Sequence, residues 1–336
     1  MKRTCFVLAS IVAFLLLWGC GSSERKYKGK LNVNLGPTPE LSFDRYEEVL
    51  FQLDTANFQQ ELLAIQERYQ PFLAGDLTDL EAVNYLKDFA MDTLSVFLYH
   101  KVEKLYPDLD AVKEVVLCEF RHLHYYYPEI HLPKRVYTCV SGVHPEIPSV
   151  IISGDDLVLS LDWYLDRDEV YDRIGMPRYR SERTGLGNLA KDLGEQLFVT
   201  YVQRPHRQSN LLEEMVQEGR KDFFIEAMYP GISDEALLGY TAEQLAWAES
   251  NEGNIWADMV GNQRLFESGL ETYRTFLADG PFTNEYSHEA PPRLGEFIGL
   301  QIVRSYMDAH DVTFQKLMQE TDVQGLFQES GYKPKK

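Results

Sequence analysis

Five residues, Lys191-Asp192-Leu193-Gly194-Glu195, have the spacing on which hydrolytic chemistry could be built. A zinc peptidase of the His-Glu-x-x-His type needs two imidazoles one helical turn apart. It also needs a carboxylate beside the first to polarise water, and a third ligand from a second helix. This stretch offers the same slots with other side chains. Lys191 is cationic and repels a metal ion, Glu195 could ligate one, and Asp192 could act as a weaker base. Glu218, on the following helical stretch, could supply the third carboxylate. A plainer alternative is an ordinary helix ion pair between Lys191 and Glu195 at i,i+4, contributing about 0.2–0.5 kcal/mol. No metal and no cofactor are expected.

Other reactive residue types are spaced less suggestively. His122, His124 and His131 lie close together beside Tyr125-Tyr126-Tyr127-Pro128, but two residues two apart do not share a helix face. Aromatic packing and turn contacts are the expected roles. Asp162, Asp166, Asp168 and Asp172 crowd one segment without the placed glycine and closing glutamate of a calcium loop, and predict a solvated link with capping aspartates. Of the 4 cysteines, Cys5 lies in the leader and Cys20 at its end. Cys118 and Cys139 remain, neither in a CxxC pair. An oxidising compartment permits a disulfide between them, and two free buried thiols are the alternative.

The elements that must position these residues follow a leader. Met1-Lys2-Arg3 is basic, Phe6 to Trp18 is almost wholly apolar, and the run ends Leu17-Trp18-Gly19-Cys20. The core is too short for a comfortable span and its end resembles the bacterial lipobox, so residues 1–19 read as a lipoprotein signal peptide and Cys20 as the acylated residue. Each buried CH₂ contributes about 0.8 kcal/mol, so several acyl chains hold stably to a membrane. Residues 20–36 read as a polar tether. The formal net charge of -19 argues against nucleic acid as a partner, since basic side chains would have to supply that attraction.

Apolar periodicity then predicts helices from Asn57 to Gln70, ended by Pro71, from Asp79 to about Leu105, and from Asp110. Strands are predicted within Lys134–Gly142, at Val150-Ile151-Ile152 and at Leu157–Leu165, with Ser153-Gly154-Asp155-Asp156 as the turn between the last two. Helices follow over Gly187–Leu197 and Leu211–Phe224, then over Asp234–Ser250, Asn254–Phe266 and Glu267–Leu277. Trp247 and Trp256 are expected in the core. The stretch from Arg293 to Met307 is a helix in which Gly295 and Gly299, one turn apart, let another helix approach closely. Arg293 and Arg304 on it are candidate partners for Glu195 or Glu218. A last helix is expected over Thr313–Glu320.

The leader, the segment Leu157 to Leu165, Met176-Pro177-Arg178-Tyr179, the helix from Leu212 to Pro230, and Pro292-Arg293-Leu294-Gly295-Glu296-Phe297-Ile298-Gly299 together resemble the gliding-motility lipoprotein GldB family of Bacteroidota. That family in turn resembles zinc-dependent peptidases with a zincin-like core. The resemblance implies that Lys191 and Glu195 occupy the two histidine slots, Asp192 that of the catalytic glutamate and Glu218 that of the third ligand. With both histidines gone, it implies a remodelled, non-catalytic site. It further implies a lipid-anchored, periplasm-facing envelope protein that supports gliding motility and the associated type IX secretion apparatus through protein contacts. The alternatives are a divergent metal-dependent peptidase using these carboxylates and a periplasmic ligand-binding lipoprotein. The expected fold is α+β: a mostly helical, zincin-like domain with a small, mainly antiparallel sheet. Residues 37–132 form its helical front and 133–330 its sheet and helical core, packed as one unit.

Overall fold

A computed structural model describes residues 25–144, 146–203 and 210–334. The leader, Cys20 and the first part of the tether lie outside the described residues, so the acylation site is not among them. The chain divides into two compact units, Met1–Val33 and Asn34–Lys336. The first contributes one short helix, Lys26–Leu31. Among the described residues, no helix is long and apolar enough to cross a membrane.

The second unit is mostly helical and contains one four-stranded sheet. Its strands are β1 (Ser42–Arg45), β2 (Arg135–Cys139), β3 (Val150–Ser153) and β4 (Asp156–Ser160), in the order β1-β2-β4-β3. The β3–β4 hairpin forms as its turn residues predict: Gly154 takes φ 58° and Ile152 pairs with Leu157. The sheet is nevertheless mixed rather than mainly antiparallel, because β1 runs parallel to β2 and β2 parallel to β4. β1 reads as a lead-in to the helix after it, since four residues show too little alternation. Only pairing with β2, distant in sequence, makes it a strand.

Boundaries shift where a single residue changes role. Pro71 opens a short helix, Gln70–Leu73, instead of closing the longer one, consistent with proline's tolerance in a first turn. The long helix expected from Asp79 breaks at Asp92, whose carboxylate accepts from the amides of Leu94 and Ser95 and starts Thr93–Leu105 anew. In the back half, Gly239 in the left-handed region ends Asp234–Leu238. A Thr241–Gln244 capping box then starts one continuous helix, Ala242–Gly261. A further helix, Val323–Ser330, follows the one expected over Thr313–Glu320.

Two helices form the centre. Leu211–Met228 and Leu294–Ala309 are buried on nearly all faces, the pattern of helices enclosed by others. They cross where Gly219 meets Gly299: a Cβ on Gly219 would strike the backbone of Gly299 and Leu300, and one on Gly299 the Met215 carbonyl. Gly295 lies against the Phe276 carbonyl and Leu277, where a Cβ would come within 2.9 and 2.8 Å. The expected close helix approach is therefore present, and Gly219 is its counterpart.

Candidate functional site

The helix Leu186–Leu197 packs beside this pair through Leu189, Ala190, Leu193 and Leu197, all buried. Gly194 sits flush against Ile225, 3.1 Å from where its Cβ would be. That packing turns Lys191 inward. Its ammonium lies 3.5 Å from Glu296 Oε1 and 3.9 Å from Glu195 Oε1. The ordinary i,i+4 pair thus exists, but the closer partner comes from another helix. Glu218 joins the same cluster through Lys221, whose Nζ is 2.6 Å from Glu218 Oε2 and 3.4 Å from Glu195 Oε1.

The arginines take other partners than those expected. Arg293 lies 3.0 Å from Glu296 Oε2 and 3.7 Å from Asp279 Oδ1. Arg304 pairs with Glu226 at 3.0 Å and Asp234 at 2.7 Å. Burial opposes the charge on Glu296, but Arg293, Lys191 and Lys221 outweigh it and hold its carboxyl well below the usual range. Burial likewise opposes the charge on Glu195, and Lys221 and Lys191 pull its carboxyl down.

Asp192, next in sequence to Lys191, makes its hydrogen bonds outside the cluster. It borders a depression of about 280 Å³ with Pro148, Ser149, Trp163 and Arg183. Tyr164 OH donates to its Oδ2 at 2.7 Å and Ser149 Oγ at 3.1 Å. Burial, then the negative charge of Glu195, push its carboxyl up to about 6 despite those donors. Behind it, Glu119 is fully buried with neither oxygen hydrogen-bonded. Burial and then the charge of Asp192 hold the Glu119 carboxyl well above the usual range.

A hydroxyl that donates to a carboxylate favours its ionised form. Tyr164→Phe should therefore raise the Asp192 midpoint further above about 6, as followed by carboxyl-carbon NMR titration. An unchanged midpoint would show that the Tyr164 hydroxyl does not stabilise the carboxylate.

The remaining candidates separate. His122 is buried with Nδ1 2.8 Å from the Cys118 carbonyl, while His131 Nε2 is 2.5 Å from Asp155 on the surface and His124 is exposed. Cys118 and Cys139 are free thiols with different neighbours: the Met228 carbonyl at 3.8 Å for Cys118 and Ser160 Oγ at 3.5 Å for Cys139. Asp162, expected in a solvated link, is fully buried and accepts from the amides of Ser141 and Val143 at 3.0 and 2.9 Å, pinning the loop that leads to the depression. Asp168 pairs with Lys101 at 2.7 Å.

Glu119, Lys221, Asp222 and Glu296 escaped the sequence reading. Glu296 could have been found as an acid three residues after Arg293. Asp222 and Glu119 carry a fainter signal, an acid among the apolar positions of a helix.

A cationic amine held by a carboxylate has no lone pair to offer a metal. Among the described residues, no group of three or more His, Cys, Asp and Glu side chains is placed to hold a metal ion. Lys191, Glu195 and Glu218 form an ion-pair cluster between helices with Lys221 and Glu296, and Asp192 bonds Tyr164 and Ser149 instead.

Residues 28–334 match the model of a family described as Gliding motility protein GldB. No curated protein and no solved structure matches the chain.

Proposed function

The chain belongs to the GldB family of gliding-motility proteins, and from that premise we propose that it is a non-catalytic, lipid-anchored envelope protein. It serves gliding motility and the associated type IX secretion machinery through protein contacts. The observation that carries the non-catalytic reading is Lys191, paired with Glu296 where a peptidase would present its first imidazole. Lys221 likewise engages both Glu195 and Glu218, the acids a divergent hydrolase would need free. A role in assembly makes no demand on an open coordination position. The anchor rests on Leu17-Trp18-Gly19-Cys20, and descent from a peptidase-like ancestor rests on the family's resemblance to zincins.

The test is metal content and peptide turnover of the natural protein and Glu218→Gln at matched folded concentration. Neither protein should bind stoichiometric zinc or cleave peptides, and Glu218→Gln should disturb folding or partner crosslinking instead. Stoichiometric zinc with turnover lost on substitution would overturn the reading. For the anchor, Cys20→Ala should abolish acyl labelling and release the domain from membranes; labelling that persists would sink it.

A further inference from the structure

Asp222 stands inside the ion-pair cluster and shares in none of its bonds. Its side chain is fully buried, and neither carboxyl oxygen has a hydrogen-bond partner. The three nearby cations already have carboxylates. Lys191 pairs with Glu296 and Glu195, Lys221 with Glu218 and Glu195, and Arg293 with Glu296 and the more exposed Asp279. An ionised carboxylate with no donor, enclosed by packed helices, is far costlier than the neutral acid.

We propose that Asp222 is a proton-binding site: a carboxylic acid that the folded protein keeps neutral at physiological pH and that ionises only as the two central helices loosen. The charged and titratable groups that act on it come from three helices and one turn. Lys221 and Glu218 lie on its own helix, and Glu296 and Arg293 belong to the Leu294–Ala309 helix and its start. Lys191 comes from Leu186–Leu197 and the Tyr240 phenol from the turn after Asp234–Leu238. Burial and then the charge of Glu296 disfavour ionisation, against the pull of Lys221 and Lys191. Asp222 follows Gly219 by one turn, so a charge appearing there would act at the contact where the helices touch. The proposal does not depend on the protein's role in motility.

Thermal unfolding of the natural protein and Asp222→Asn, from about pH 4 to about pH 9, decides it. A carboxyl held neutral in the fold binds its proton more tightly there than in the unfolded chain. Stability is therefore full below about pH 4, and is lost as pH rises towards the folded value. Asparagine carries no such loss. The Tm of Asp222→Asn should match the natural protein in acid and exceed it increasingly as pH rises.

The opposite pattern, a deficit largest at neutral pH that closes in acid, would mean an ionised, paired Asp222 and would overturn the proposal. So would failure of this neutral isostere to fold. Infrared spectra supply an independent readout. The protonated-carboxyl band at neutral pH should weaken in Asp222→Asn, with Glu119 supplying a remainder that Glu119→Gln removes. A band untouched by Asp222→Asn would refute the assignment.

Discussion

Gly299→Ala should destabilise the protein by about 3 kcal/mol or more, at or beyond the upper end of overpacking changes. The new methyl group would land on the Met215 carbonyl, and its neighbours there are Met215 backbone atoms. A flexible side chain could swing aside; a helix backbone can yield only by moving the whole helix. Separating the central pair would loosen the contacts of Met215, Leu300 and Val303, all buried, and shift Lys191 and Lys221 from their carboxylates. Alanine's better helix propensity returns only about 1 kcal/mol. Gly219→Ala should behave alike, since its Cβ would meet the Gly299 and Leu300 backbone. Gly261→Ala is the control: nothing lies within 4 Å of its Cβ position, so it should be neutral or mildly stabilising. Chemical denaturation of the three variants measures this. A Gly299→Ala protein as stable as Gly261→Ala would show that the helices do not touch there.

Replacing Glu296 by Gln should cost about 3–5 kcal/mol, the range for removing one partner of a buried ion pair. The substitution keeps the shape but leaves Lys191 and Arg293 facing an uncharged amide, and the side chain of Lys191 is only 8% exposed. A double-mutant cycle with Lys191→Met should recover part of the loss, because the two residues act together. The pH dependence has a definite sign. The folded-state carboxyl of Glu296 is depressed, so its stabilisation is full above the unfolded value of about 4 and is lost as pH falls towards the lower folded value. The gap between the natural protein and Glu296→Gln should therefore be widest at neutral pH and narrow in acid. A gap that is constant across pH, or a Lys191→Met effect that simply adds, would mean that the charge on Glu296 does not hold the cluster.

Much of the fold was legible because helix and hairpin signals are local. The Asp110–Tyr126 helix shows its buried face through Val112, Val115, Val116 and Phe120, and the β3–β4 hairpin shows its turn through Gly154 and Asp155. Gly295 and Gly299 declared a helix contact because no other advantage offsets two glycines in a helix interior. The five residues from Lys191 to Glu195 likewise announced a polar helix face, and their side-chain types, at a spacing that would suit two imidazoles, ruled those imidazoles out. What the sequence could not supply was partnership. β1 is a strand only because β2 lies beside it, and Asp162 is buried only because the amides of Ser141 and Val143 arrive from a distant loop. Lys191 finds Glu296 more than a hundred positions away, Lys221 joins Glu195 to Glu218, and Asp222 is left with no bond. Charge pairing acts over a few ångströms of space whatever the separation along the chain. Periodicity could place each acid and base on its helix, and only the crossing of the helices decided which of them meet.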